Sequence, residues 1–333
     1  MKRIILLMLS LLLCCSLVLT GCQKESGTLT KVRLSEVTHS IFYAPLYAAI
    51  NLGMFEEAGI EIELTNAGGA DKAMAALLSE STDIAFMGPE ATVYVALEGR
   101  ADQPVVIGQL TQKDGAFLVS REENPDFTWD DLKGKYVIGG RKGGVPEMTL
   151  EYVLRSKGID PKTDLEIDTG VQFAMMGGAF LGGLGDYVTL FEPTATEVEA
   201  LGLGHIVASV GAEGGNVPYT CFQVTKSFLN TNADLVERFM EVIYDAQQWV
   251  ATHSDMEVAE AILPSFPDTA LNTAASVVGR YRSIDAWSYD PIMTEESYNR
   301  LLDIMEQAGE LTGRPEYSKV IDNSVAQKVV NGK

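Results

Sequence analysis

The sequence predicts an α/β protein whose mainly parallel sheets are covered by helices, built as two units between which the chain passes. Three observations lead there. Short apolar strands alternate with amphipathic helices from Lys31 to Leu110, the βα order that requires parallel strands joined by helical crossovers. The same alternation resumes after a polar break at Glu122–Asp126. The chain has 333 residues, long for one core at roughly 150 residues per domain.

The N-terminal residues belong to targeting. Met1, Lys2 and Arg3 are followed by Ile4–Leu19, apolar apart from Ser10 and Ser16. This run is shorter than the about 20 residues of a spanning helix. It ends in Leu19-Thr20-Gly21-Cys22, the form of a secretory signal with a lipid-attachment box; an uncleaved N-terminal anchor is the alternative. Residues 1–21 are therefore expected to be a signal peptide, Cys22 the lipidated residue, and 22–30 a polar tether.

The chain has 25 Lys plus Arg against 46 Asp plus Glu, a net charge of −21. Loss of residues 1–21 removes two cations and no acid, giving −23. Such a surface repels a phosphate backbone, so no nucleic acid partner is expected. Cys14 and Cys15 leave with the signal, and Cys221 stays alone in the apolar alternation Tyr219–Thr225, a packing position.

Lys31–Val37 alternates as a strand. Pro45–Leu52 reads as a helix ending at Gly53, Met54–Ala58 as a short one stopped by Gly59, and Ile60–Thr65 as the next strand. Asp71–Ser79 is helical, Ile84–Met87 a buried strand, Glu90–Leu97 a helix opened by Pro89, and Val105–Leu110 a strand. The second unit opens with a capped turn at Thr128–Leu132 and strand Tyr136–Ile138, followed by helix Pro146–Lys157, closed by Gly158. Strand Leu165–Ile167, a Gly-rich helical region at Met175–Leu184, strand Tyr187–Phe191, helix Pro193–Leu201 and strand Ile206–Val210 complete it. A long helix capped by Asn232 buries Leu235, Val236, Phe239, Met240, Ile243 and Val250 on one face. Helices Met256–Leu263, Leu271–Tyr281 and Glu295–Ala308 follow, and this tail is expected to cover the first unit. The crossings fall near Gln112–Ser120 and Val217–Thr225.

Catalytic patterns are missing. His39, His205 and His253 form no ligand pair and no Cys-x-x-Cys occurs, so neither a metal nor another cofactor is expected. There is no Gly-x-Ser-x-Gly elbow. The glycines at Gly139, Gly140, Gly143 and Gly144 lack the Lys-Ser/Thr of a phosphate loop, and Gly177–Gly185 lacks dinucleotide spacing. No catalytic residue is assigned. Parallel sheets bind ligands beyond the carboxyl ends of their strands. The loops there are Thr38–Ala44, Asn66–Ala70, Gly88–Glu90, Gly139–Pro146 and Glu192-Pro193, which offer helix N-termini, aromatic faces and two carboxylates.

Tyr43–Leu64 (YAPLYAAINLGMFEEAGIEIEL), Gly68–Ala91 (GGADKAMAALLSESTDIAFMGPEA), Gly139–Leu154 (GGRKGGVPEMTLEYVL), Leu190–Ala195 (LFEPTA) and Val217–Thr220 (VPYT) fall in one order along the chain. In these segments the sequence resembles the solute-binding lipoproteins of ABC importers for nitrate, sulfonates, taurine and thiamine pyrimidine precursors. The resemblance implies a two-lobed periplasmic-binding-protein fold of type II, with two crossing strands. It divides the chain into a first lobe of 31–115 and 221–333 and a second of 116–220. It further implies a monomer, lipid-held at the outer face of the cell membrane or in a periplasm, that passes a small molecule to a permease and its ATPase. Closure would bring Ser40, Phe42, Tyr43, Gly88, Pro89 and Glu90 against Gly144, Val145, Pro146 and Glu192. Tyr219 would lie at the hinge beside Lys113 and Asp114.

Glu90 and Glu192, with Phe42, Tyr43 and Tyr219 nearby, suit an aminopyrimidine better than an anion, because a desolvated carboxylate facing a sulfonate is repulsive. A thiamine-type pyrimidine or similar heterocycle is favoured over an aliphatic sulfonate, taurine or nitrate. An enzyme of the fungal hydroxymethylpyrimidine phosphate synthase type, which shares this fold, is the other alternative. Its iron-linked cysteine cluster has no counterpart here.

Overall fold

A computed structural model describes residues 28–333. The signal, the lipid-attachment cysteine and most of the tether lie outside the described residues. Two five-stranded sheets organise the chain. The first is ordered β2-β1-β3-β10-β4, from β1 (Thr30–Glu36), β2 (Ile60–Asn66), β3 (Ile84–Met87), β4 (Pro104–Thr111) and β10 (Thr220–Thr225). The second is ordered β7-β6-β8-β5-β9, from β5 (Phe117–Ser120), β6 (Tyr136–Ile138), β7 (Glu166–Asp168), β8 (Tyr187–Leu190) and β9 (His205–Ser209). β1 pairs in parallel with β2 and β3, and β6 with β7 and β8. Glu36 is in register with both Asn66 and Phe86, so three loops leave the first sheet along one edge.

β5 and β10 run against this order. Each follows a crossing and inserts antiparallel into the middle of a sheet: β10 between β3 and β4, β5 between β8 and β9. The crossings are bonded to each other by Val217 N–H to Gln112 O at 2.9 Å and Tyr219 N–H to Thr111 O at 3.2 Å. Helix Val210–Gly214 approaches the first crossing so closely that a Cβ on Gly211 would lie 2.0 Å from the carbonyl oxygen of Asp114, a distance only glycine permits.

The first sheet is filled by stacked rings. Phe86 lies 4.6 Å from Phe222, and Phe239 of helix Ala233–Thr252 lies 5.2 Å from both Phe222 and Phe55. All four rings are fully buried, each contributing about 1.5–3 kcal/mol by burial alone. Asn232 stands at the N-cap of that helix without capping it: its side-chain amide donates to Phe228 O of the preceding helix instead. Cys221 is buried in β10, and burial pushes its thiol pKa up. Helices Ala233–Thr252, Asp255–Ile262 and Leu271–Ser283 pack around Ala44–Asn51 and the segment before it. Helix Glu295–Ala308 departs from the expected cover. Its buried face, Tyr298, Leu301, Leu302 and Met305, belongs to a helix packed against Val145–Ser156 beside the second sheet, and Gly309 then reverses the chain with φ of 81°.

Candidate functional site

The strand ends of the two sheets face each other across a cavity of about 130 Å³. The first sheet contributes Val37 and Thr38 after β1, Gly68–Lys72 at the start of helix Ala70–Leu78, and Gly88 with Glu90 after β3. The second contributes Arg141, Gly144–Pro146 at the start of helix Val145–Ser156, Thr169–Phe173 after β7, and Phe191 after β8. Tyr43, Tyr219 and Thr220 complete the wall. Parallel pairing on both sides aims three helix N-termini at this space.

Glu90 is the first residue of helix Glu90–Glu98 and is 2% exposed. Its carboxylate folds back over Gly88, where a Cβ would sit 1.9 Å from Oε2. Among the described residues Oε2 has no hydrogen-bond partner. Burial pushes the pKa of Glu90 up to about 7, against the charge of Arg141 and the backbone N–H groups of Val145, Ala91 and Glu90 itself. An acceptor is thus held beside an aromatic-walled space with no hydrogen bond from the described residues on one oxygen.

Other expected residues lie around this centre. Tyr43 packs edge-on to Phe86 at 4.6 Å, and its hydroxyl lies 3.5 Å from Thr220 Oγ1. Gly144, Val145 and Pro146 form wall, as do Gly88 and Tyr219. Phe42 is fully buried behind the cavity, 5.3 Å from Phe191 and 5.7 Å from Tyr219, so it supports two wall rings. Pro89 is the N-cap residue before Glu90 and does not line the cavity. Lys113 is half-buried on the first crossing, also away from the cavity. Asp114 is fully buried there, with Oδ1 accepting from Ala116 N–H at 2.6 Å and Oδ2 without a partner. Burial pushes its pKa up to about 8, opposed by the Ala116 N–H and the Tyr219 hydroxyl.

Ser40 and Glu192 border a neighbouring cleft of about 230 Å³, which shares Thr38, Phe173 and Phe191 with the cavity. Glu192 is engaged from both sides. Its carboxylate accepts from Thr196 N–H at 2.8 Å and Thr196 Oγ1 at 2.9 Å, and Arg280 Nη1 lies 2.9 Å from Oε1. Its carbonyl oxygen accepts from Ser40 Oγ at 2.6 Å, and its N–H donates to the Tyr281 hydroxyl at 3.0 Å. Burial raises the pKa of Glu192, with these N–H, hydroxyl and Arg280 groups opposing. It ties the second sheet to the first and does not face Glu90 across the cavity.

The loop Gly139–Pro146 was visible as a ligand-edge loop, but the role of Arg141 in it was not. Two cations bracketed by glycine pairs were the available signal. Its Nε lies 3.7 Å from Asp71 Oδ1 on the opposite sheet's helix, a partner 70 residues away.

Two five-stranded sheets, each interrupted by one reversed strand after a crossing and enclosing a cavity at their strand ends, make up the periplasmic-binding-protein fold. The chain belongs to the NMT1-like family, whose model matches residues 30–264. It is 44% identical over 315 residues, 95% of this chain and 94% of the relative, to a Bacillus subtilis (strain 168) protein named "Putative binding protein YtlA". Among solved structures it resembles the alkanesulfonate-binding protein SsuA from Xanthomonas axonopodis pv. citri bound to MOPS. That match has a TM-score of 0.70 and 16% identity, and covers 89% of this chain and 99% of that one. The periplasmic nitrate-binding protein NrtA from Synechocystis PCC 6803 matches at a TM-score of 0.72 and 15% identity, covering 91% and 89%. The chain therefore groups with binding proteins and not with enzymes.

Proposed function

We propose that this chain is the solute-binding component of an ABC importer, an extracytoplasmic lipoprotein anchored through Cys22. In this reading it captures a small molecule between its two sheets and passes it to a permease with its ATPase. The lobes are residues 31–115 with 221–333 and residues 116–220, closing about the two crossings, and contacts made only on closure shift the population toward the closed form.

The favoured solute is a thiamine-type aminopyrimidine or a similar N–H-donating heterocycle. One observation carries this choice: the buried Oε2 of Glu90, without a partner, in a cavity walled by Tyr43, Phe173, Phe191 and Tyr219. A ring N–H satisfies that oxygen, whereas nitrate or an aliphatic sulfonate meets it with like charge. A thermal-shift screen of aminopyrimidines, aliphatic sulfonates, taurine and nitrate tests the reading, since a ligand of the native state alone raises the melting temperature. An aminopyrimidine is expected to give the upward shift. A shift confined to nitrate or a simple sulfonate would overturn the heterocycle assignment.

A further inference from the structure

The loop that follows β1 carries a polar cluster that the solute site does not use. His39 lies between Thr38, which lines both the cavity and the neighbouring cleft, and Ser40, whose hydroxyl reaches Glu192 O of the second sheet at 2.6 Å. Both nitrogens of the His39 ring are taken up. Nδ1 stands 2.8 Å from Glu36 Oε1, and Nε2 stands 2.8 Å from the carbonyl oxygen of Ser265, in the turn Leu263–Ser265. The ring also stacks on Phe266 at 4.6 Å and meets Tyr47 edge-on at 4.9 Å.

The directions of these bonds decide the protonation state. A backbone carbonyl only accepts, so Nε2 carries a proton. The Tyr47 hydroxyl donates to Glu36 Oε2 at 2.5 Å, so its oxygen, 3.0 Å from Nδ1, offers that nitrogen only a lone pair. A neutral ring would also set the Nδ1 lone pair against the Glu36 carboxylate, whereas an imidazolium satisfies every contact. Among the described residues Glu36 is the charge that acts on the ring. Helix Ala44–Asn51 adds the Tyr47 hydroxyl and the Leu263–Ser265 turn a carbonyl, while the Glu192 carboxylate bordering the cleft is engaged by Thr196 and Arg280. The Glu36 carboxylate raises the pKa of His39, opposed by the partial burial of the ring and helped by Ser265 O.

We propose that a proton on His39 locks this loop: the imidazolium ties the end of β1, through Glu36, to the Leu263–Ser265 turn, and its loss frees Thr38 and Ser40 at the edge of the cavity and loosens the Ser40–Glu192 bond between the sheets. Ser265 is itself held, its hydroxyl accepting from Asn51 Nδ2 at 3.1 Å, so the part released is the His39 loop. Ser40 caps the turn that follows, where Oγ accepts from Phe42 N–H at 3.2 Å and the carbonyl from Tyr43 N–H at 2.9 Å. With 36% of its side chain exposed, His39 exchanges protons with solvent while the fold stays intact. The lock is a pH-sensitive device on the cavity wall, whichever solute the cavity takes.

Nitrogen NMR and amide hydrogen exchange on the full chain test this, and neither needs a solute, so the outcome is separate from the solute assignment. With 15N-labelled histidine, both ring nitrogens of His39 are expected to show the shifts of protonated nitrogen below a titration midpoint that lies above the ordinary 6.5. The lock is complete below pH 6.5 and is lost as pH rises through that raised midpoint. Protection of the Phe42 and Tyr43 amides, corrected for intrinsic exchange, should therefore fall about tenfold for every unit by which the midpoint exceeds 6.5. In His39→Gln, protection should not vary over that range. A midpoint at or below 6.5 overturns the inference, as does protection that stays flat through the midpoint, and both are read on the unaltered chain. A fall that persists in His39→Gln at the same midpoint also overturns it, since another group then titrates.

Discussion

Replacing Glu90 by Gln keeps the side chain's size and removes its charge at a cavity position where, among the described residues, a carboxylate oxygen is buried without a partner. If a ligand N–H donates to that carboxylate, the variant loses a hydrogen bond to a charged group, about 1.5–3 kcal/mol or roughly 10- to 150-fold in Kd. Stability should move the other way. Burial holds Glu90 near a pKa of about 7, above the 4.5 of the unfolded chain. The folded protein therefore keeps a proton that the unfolded chain releases, and this stabilisation, complete below pH 4.5, is lost as pH rises through about 7. Gln does not titrate, so Glu90→Gln should gain stability relative to wild type between pH 6 and pH 8. Calorimetry with an aminopyrimidine at pH 7.5 and urea denaturation at both pH values read the two effects separately. An affinity within twofold of wild type, or an equal loss of stability at both pH values, would refute the assignment.

Other consequences are equally direct. Gly88→Ala places a Cβ 1.9 Å from Glu90 Oε2, so the carboxylate must swing aside, and binding should fall about as far as in Glu90→Gln with only a small change in urea midpoint. Phe42→Ala removes the buried ring behind Phe191 and Tyr219 and should cost about 3–5 kcal/mol, read by urea unfolding; a loss below about 1 kcal/mol would mean the wall does not lean on it. Asp114 is raised to about 8 and Glu147 is raised by burial, as Glu90 is, so wild-type stability should decline from pH 6 to pH 8, and a rise over that window contradicts these burials. Cys22→Ala should move the protein from the membrane pellet to the soluble fraction with ligand affinity unchanged, while continued membrane retention of the variant would end the lipid-anchor proposal.

Much of the scaffold is readable in the chain because its signals are local. Ile84–Met87, Tyr136–Ile138 and Glu295–Ala308 have the limits their apolar spacing and punctuation give them. β5 was harder. Phe117–Ser120 is four residues next to a crossing, and nothing near it in sequence says that it inserts antiparallel between β8 and β9. The helices Val210–Gly214 and Tyr317–Val320 were likewise too short to be expected, whereas Ser324–Gly332 buries Ala326 and Val329 on one face, a helical spacing already present in the sequence.

In the candidate site, the sequence determined which loops meet at the strand ends, because βα order and glycine or proline punctuation fix where each strand stops and each helix begins. It also determined the acidic character and the targeting pattern of the first 22 residues. Only the tertiary structure decided what each carboxylate does. Glu90 and Glu192 look alike in sequence, each beside a proline after a strand. Arg280 and Tyr281, about 90 residues away, take up Glu192, whereas among the described residues Oε2 of Glu90 has no hydrogen-bond partner. A buried acceptor is defined by the partners that packing brings to it, and those partners are set by contacts between the two sheets that no local pattern encodes.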